Sequence, residues 1–561
     1  VDSLVDEGHS EEAGEPERPH YTDFNMNAGL TFEGKRDGTT IRSDVNLVGS
    51  SVREQALRYS ERGADAPKLD LSDYLVEIEE GNTSFSMGHS SFGQNPLLIS
   101  SISNRGATFR HQLSDSFDFA IASQNGTDIV GYNNLFGLRS LDHNITGGTL
   151  GYELFSSRPG ALRMEISYVT AEIQSDSNFD VGEVVEAEQS DGYGVRLLGS
   201  TESGRLRGEL NYARSSYTNP QDDALNEGID GLVEVDESTN SAYRINLSYD
   251  LLSSTLEDET TPLSLTVSLL HERVDPLYKT LAAFPNADVL LNQVEIVSIF
   301  GSLALQLQHS WMEDNLDDIA SILKTKTEST VLSATYDLSL IVDEEATAWY
   351  LPEASLALNR VYQYAANNPD EDESGFNGGS HLPNQNNLSG DLGLSWRLDN
   401  WGLSYTYSYS DQDNRQTGRE NDDFKTDGHS LEADIQLTDN FQFGLSVGRV
   451  RNENVAELLN NYTESAGLNF NWNIQGKWGL SGSVEKTLED DSKDLVENDS
   501  ISADLHAVRH ISLPFPDGKK RHGQLYMRYN LSDNESIDNE FEFESLVKSW
   551  TVTAGLSFSF F

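Results

Sequence analysis

Leu431-Glu-Ala-Asp-Ile-Gln-Leu-Thr-Asp-Asn-Phe-Gln-Phe-Gly-Leu-Ser-Val447 alternates apolar with polar residues, reverses at Thr438-Asp439-Asn440, and then alternates again. Leu431, Ala433, Ile435 and Leu437 fall on one face of an extended strand, with Glu432, Asp434 and Gln436 on the other. Successive side chains of a strand point to opposite faces, so the stretch predicts a hairpin with one apolar and one polar face. The Asp-Asn reversal suits a tight turn.

The unit recurs in both directions along the chain. Leu392, Leu394 and Trp396 lead through Asp399-Asn400 into Trp401, Leu403 and Tyr405. Leu468, Phe470 and Trp472 lead through Gln475-Gly476-Lys477 into Trp478 and Leu480, and Phe109 and Leu113 lead through Ser114-Asp115-Ser116 into Phe117 and Phe119. A soluble sandwich would bury the apolar face in a core, and a membrane barrel would give it to lipid. Three features favour the barrel. Many strands read as roughly 10–15 residues, longer than the usual strand and long enough to cross a bilayer at a tilt. Short turns alternate with long connections at 55–70, 124–142, 216–240, 366–386 and 411–427. Trp396, Trp401, Trp472 and Trp478 flank the short turns, as an aromatic girdle at a membrane interface would.

The C-terminus, Trp550-Thr-Val-Thr-Ala-Gly-Leu-Ser-Phe-Ser-Phe-Phe561, resembles the last strand of bacterial outer-membrane proteins. The resemblance implies an amphipathic closing strand whose Phe558, Phe560 and Phe561 are read by the barrel-assembly machinery. Phe561 lies one residue out of the apolar phase set by Val552, Ala554, Leu556, Phe558 and Phe560. Met312-Glu-Asp-Asn-Leu-Asp-Asp-Ile-Ala-Ser-Ile-Leu-Lys324 is similar to a segment of large proteobacterial barrels. The expected fold is therefore all-β: one transmembrane, antiparallel, up-and-down barrel over 22–561 in the bacterial outer membrane. It should have roughly 24–26 strands, short periplasmic turns and long acidic extracellular loops.

Residues 1–21 read as an acidic flexible tail or linker. No signal peptide is visible and residue 1 is Val, as in a processed chain or an excised domain. The first strand, 23–34, starts on the outer side when turns are counted back from the C-terminus. A periplasmic N-terminus then requires one more strand, either one miscounted here or one in residues removed from this chain, and a miscount is the favoured source. The pattern is weakest over 275–305, where Pro276 and Pro285 interrupt it.

Composition excludes several functions. With 92 acidic and 38 basic residues the formal charge is −54, so nucleic acid is not a partner. There is no cysteine, hence no disulfide, thiolate metal site or C-x-x-C-H haem attachment. No run of eighteen apolar residues predicts a membrane helix. No G-x-S-x-G, Walker or dinucleotide motif occurs, and the chain is expected not to be an enzyme. His506 and His510 share a strand face but lie about 13 Å apart, too far for one metal ion.

No cofactor is expected beyond Ca2+ or Mg2+ bound at loops. Asp370, Asp372 and Ser374 carry the spacing of the first half of a calcium loop, and position twelve is His381 where the closing Glu would stand. Arg105, Arg110, Glu432, Asp434, Tyr526 and Arg528 are expected to face the lumen, as a selectivity surface or as ordinary polar filling. About 25 strands close a cylinder roughly 50 Å across, which wall side chains cannot fill. Folded-in loops, a partner protein or cargo should then occupy the lumen. Three functions fit: a pore or scaffold that encloses or translocates a large cargo or partner; a passive, cation-preferring porin; or a surface scaffold whose acidic loops bind divalent cations or lipopolysaccharide. Outer-membrane lipid and lipopolysaccharide, the assembly machinery and a lumen-filling partner are the expected contacts.

Overall fold

The computed structural model of the chain describes residues 2–6, 25–50, 69–126, 134–138, 143–173, 188–219, 235–255, 262–338, 350–369, 382–474, 477–514, 520–539, 541 and 543–558. Its strands are β1 (Asp2–Asp6), β2 (Asn25–Arg36), β3 (Thr39–Ser50), β4 (Leu69–Glu80), β5 (Thr83–Asn95), β6 (Ile99–Ser114), β7 (Phe117–Asn125), β8 (His143–Glu153) and β9 (Leu162–Ile173). There follow β10 (Glu188–Ser200), β11 (Leu206–Asn219), β12 (Val235–Thr255), β13 (Pro262–Val274), β14 (Val289–Phe300), β15 (Leu303–Glu313), β16 (Thr325–Asp337), β17 (Glu353–Ala365) and β18 (Asn384–Arg397). The last are β19 (Trp401–Asn414), β20 (Phe424–Thr438), β21 (Phe441–Asn454), β22 (Leu459–Ile474), β23 (Trp478–Asp491), β24 (Val496–Pro514), β25 (Lys520–Asp538) and β26 (Phe543–Phe558).

All 26 strands belong to one sheet. From β2 to β26 each strand pairs antiparallel with the next in sequence, and β26 also pairs with β1. This is an up-and-down barrel wall. No pairing joins β1 to β2 among the described residues, and the ladder is not closed there.

The stretch expected to be a tail thus contains a strand. Because β1 runs opposite to β26, it ascends from the short-turn end, and β2 then starts at the long-loop end. The additional strand that topology required lies at Asp2–Asp6, so the missing strand is one uncounted within this chain.

The opening hairpin is β20–β21, with Leu431 opposite Val447 and Ala433 opposite Leu445. Leu431, Leu445, Val447, Leu468 and Val484 are all solvent-exposed on the outer face, which in a membrane is the lipid face. Trp396, Trp401, Trp472 and Trp478 stand on this face at the short-turn end, where the Phe441 and Trp472 rings meet edge to face at 5.9 Å. A second aromatic row crosses the same face near the other end, including Trp311, Tyr362, Tyr364 and Tyr407. On β21 the outward residues Phe441, Phe443, Leu445 and Val447 give way to Arg449. Along the barrel axis that span is about 20 Å, near the roughly 25 Å apolar band of outer-membrane barrels.

Candidate functional site in the lumen

One hairpin leaves the wall. β5 pairs with β4 only as far as Gly88, and β6 pairs with β7 only from Gly106 onward. Between these points β5 and β6 stay paired with each other, up to Asn95 opposite Ile99. Gly88 supplies the bend: its φ of +104° suits glycine and strains residues with a Cβ. The face of the wall that this hairpin covers is therefore the lumen face.

The hairpin is packed, not merely inserted. Phe92, Leu97, Leu98 and Ile99 are buried in one apolar cluster with wall residues such as Ile145, Val169, Ala213 and Ala242. The wall residues are small where the hairpin comes closest. A Cβ on Gly192 of β10 would stand 2.6 Å from the Leu98 side chain, and one on Gly194 2.7 Å from Asn95 Nδ2. Asn95 Nδ2 in turn donates to the Tyr212 carbonyl of β11 at 3.3 Å.

The connection 275–288 lies across the hairpin tip as a strap. Tyr278 Oη donates to the Leu97 carbonyl (2.7 Å), Thr280 Oγ1 to the Leu98 carbonyl (3.4 Å), and the Ser100 amide to the Ala282 carbonyl (3.0 Å). The Leu281 amide donates to Ser190 Oγ on the wall (3.1 Å). Burial pushes the Tyr278 phenol well above its ordinary value, so it remains a donor. Lys279 donates to Glu188 and, at 2.9 Å, to Tyr217 Oη. Burial alone would lower the Lys279 pKa, but the bonds to Glu188 and Tyr217 outweigh it and the net shift is upward. Beyond Ala283 the strap presents Phe284, 92% exposed.

Toward the short-turn end, the same sector of the inner wall carries a ladder of ion pairs. Arg163 on β9 reaches Asp118, Glu153 and Glu165, and Arg196 on β10 reaches Glu165 and Glu209. Arg196 Nη1 also donates to Gln94 of the hairpin at 2.9 Å. These charges are largely spent on one another.

Arg105 lies at the hairpin base, fully buried rather than open to the lumen. It donates to the carbonyls of Asn134 (3.2 Å) and Leu71 (3.0 Å), and its guanidinium lies 5.6 Å from the centre of the Tyr74 ring. Arg105 is therefore an anchor of the hairpin base and not the lumen-facing residue that alternation predicts. Arg105→Ala is expected to loosen the hairpin base at about 1.5–3 kcal/mol for each charge-assisted bond lost. Limited proteolysis would read this as new cleavage near 89–105, and wild-type resistance in the variant would refute it.

Arg110 donates to the Ser91 carbonyl at 2.9 Å. Glu432 and Asp434 face inward, opposite Ser446 and Gly444. Tyr526 and Arg528 share the inner face of β25, where Arg528 pairs with Asp504 at 2.6 Å and the Tyr526 ring meets His506 at 6.2 Å. The Trp396 indole donates to the Tyr350 carbonyl at 3.1 Å, and Trp478 lies 5.1 Å from the Arg509 guanidinium. Phe558 pairs with Gly523 in β26, whereas Asp370, Asp372, Ser374, Phe560 and Phe561 fall outside the described residues. Among the described residues no cluster of three metal-ligating side chains occurs.

The sequence reading missed Phe92, Leu97–Ile99 and Tyr278–Ala282 as a unit. The available signals were Gly88 and Gly93 within one strand and the triplet Leu97-Leu98-Ile99, which breaks the alternation. The two prolines around 276–285 marked the strap without explaining it.

A single up-and-down antiparallel sheet of this size, apolar outside between two aromatic rows and polar inside, has the architecture of a bacterial outer-membrane β-barrel. No protein-family model matches the sequence, and no curated protein does. Among solved structures the chain is similar to the translocation pore of the P pilus usher PapC, at 11% identity over 95% of each chain with a TM-score of 0.30. It is also similar to OpdK of Pseudomonas aeruginosa, at 12% identity over 71% of this chain and 98% of that one (TM-score 0.28). A third is OmpT of Vibrio cholerae, at 7% identity over 63% and 98% (TM-score 0.23). The expectation that the chain is not an enzyme is withdrawn on this finding: at the distance of OmpT neither an activity nor its absence carries over.

Proposed function

We propose that the barrel is a large-bore pore that passes or encloses a large cargo, with the strapped hairpin as a fixed shoulder on one side. The observation that carries this reading is the asymmetry of the lumen. The buried cluster draws its wall residues from β7 to β13, while the inward residues of β15 to β22, apart from Gly428 and Gly444, are partly or fully exposed. A wall of 26 strands encloses far more than this hairpin fills. The terminal strand, read as the assembly signal, and the two aromatic rows support insertion by the assembly machinery and contact with outer-membrane lipid. Divalent cations at the acidic loops, and a partner within the lumen, belong to the same proposal.

The test is single-channel conductance in a planar bilayer with polyethylene glycols of graded size. The expected result is a large conductance that falls even with glycols too big for a small-solute porin. A cut-off at small glycols would sink the large-cargo reading.

A cation-preferring porin is the second reading. It is favoured by the inward carboxylates Glu432, Asp434, Glu485 and Glu489, against few inward bases. Strong cation selectivity together with a small cut-off would support it.

A further inference from the structure

We infer that the wall has a side door at outer-leaflet depth, between β4 and β7, which admits the acyl chain of a membrane amphiphile toward the lumen. The door exists because two strands leave the wall partway up. β5 parts from β4 at Gly88, and β6 parts from β7 at Gly106. Residues 69–74 of β4 therefore have no strand neighbour on that side among the described residues. The hairpin leans toward β7 to β13, where its buried cluster lies, and away from β4.

Residues 134–138 close the opening. They form no strand, and irregular backbone at membrane depth must have its polar groups satisfied by protein. Side chains do this here. The Asn134 carbonyl accepts from Arg105 at 3.2 Å, the Leu135 carbonyl from Tyr74 Oη, and the Gly137 carbonyl from Asn125 Nδ2 at 2.8 Å. Arg105 also ties down the β4 edge through the Leu71 carbonyl at 3.0 Å. A strand in this place would be held by a continuous ladder. A segment held by side-chain bonds such as these opens locally, at far less cost than unfolding, while every wall strand stays paired.

Depth and polarity fit an acyl chain. Tyr74 lies as far along β4 from the short-turn end as the lipid-facing Val447 lies along β21, about 15 Å up the barrel axis. Leu135 and Phe136, held at Tyr74, are 44% and 57% exposed, and Leu69 on the β4 edge is 51% exposed. The inner side is polar. Ser90, Thr108 and Gln124 are buried at the hairpin base, where Ser90 Oγ meets Thr108 Oγ1 at 3.0 Å and Gln124 Nε2 donates to the Ser90 carbonyl. An amphiphile matches both sides, its tail against the apolar lid and its head toward the polar base. A wholly polar solute would lose its water at the lid, and a wholly apolar one would gain nothing at the base.

The test uses the full chain in vesicles containing a phosphatidylcholine with a photoactivatable diazirine on its acyl chain. Cross-linked peptides are mapped by mass spectrometry. In the wild type, cross-links are expected at Leu135 and Phe136 and, at lower yield, within 89–105. Gly137 has a φ of +75°, and a Cβ there would stand 2.2 Å from the Arg105 carbonyl, so Gly137→Ala keeps the lid from seating. It should raise the inner yield, relative to the outer, about tenfold. Tyr74→Phe keeps the ring, removes only the bond to Leu135, and should raise it about fivefold. No cross-link within 89–105 in any of the three proteins overturns the inference, as does an inner yield that neither variant changes. Labelling of the base by a water-soluble diazirine but not by the acyl probe overturns it too, because the opening would then pass water and not chains. Absence of cross-links at Leu135 and Phe136 takes the lid off the lipid face, and the door with it.

Discussion

Gly192→Val should give a wider and noisier channel than wild type. The substitution puts a branched side chain where a Cβ alone would already stand 2.6 Å from Leu98 and 3.0 Å from the Arg214 carbonyl. The carbonyl belongs to the wall ladder and cannot retreat, so the hairpin tip has to. Overpacking of this kind costs about 1–3 kcal/mol. Displacement of Leu98 would also withdraw the Leu98 carbonyl from Thr280 and disturb the Ser100–Ala282 bond, so the strap should loosen with the tip. Gly479→Val is the control: it also faces inward, and a Cβ there meets only Val508 at 3.9 Å. Single-channel recordings should separate the two variants by conductance and by open-state noise. Identical traces would mean that the hairpin does not narrow the lumen.

The second large effect concerns the outer face. Leu445→Arg should lower the unfolding free energy in lipid by about 2–4 kcal/mol, the cost of an arginine near the bilayer midplane of a barrel. Leu445 is 44% exposed on the lipid side and sits within the apolar run from Phe441 to Val447. Its neighbour Ser446 faces the lumen, opposite Glu432 and Gly467. Ser446→Arg should leave stability nearly unchanged and shift ion selectivity toward anions. Denaturant unfolding in lipid vesicles, with reversal potentials alongside, reads both. Equal destabilisation by the two variants would contradict the assignment of faces.

These two predictions draw on parts of the molecule that were unequally legible in the sequence. The facing of Leu445 and Ser446 follows from alternation alone, because a period of two leaves no choice once one face is apolar. The role of Gly192 does not. It depends on a hairpin about a hundred residues earlier in the chain folding across the lumen, and nothing local to β10 encodes that approach. The hairpin's own residues carry a partial trace, since Leu97, Leu98 and Ile99 run apolar without alternation. A buried strand tip and an ordinary apolar turn look the same over so short a span. Asp2–Asp6 was opaque for another reason: a five-residue acidic strand has no periodic signal to detect, and only its partner β26 gives it a place.

The one-sided packing of the hairpin also has a mechanical side. A ring braced over one arc and bare over the other does not deform evenly. The sector from β7 to β13 is stiffened from within by the apolar cluster, the strap and the ladder of arginines and carboxylates. From β15 to β22 the wall is a single layer of ladder bonds with little behind it. Lateral pressure from the bilayer should therefore flatten the bare arc while the braced arc keeps its curvature. The opening would then change from round to oval without any strand unpairing, and its clearance would follow membrane tension.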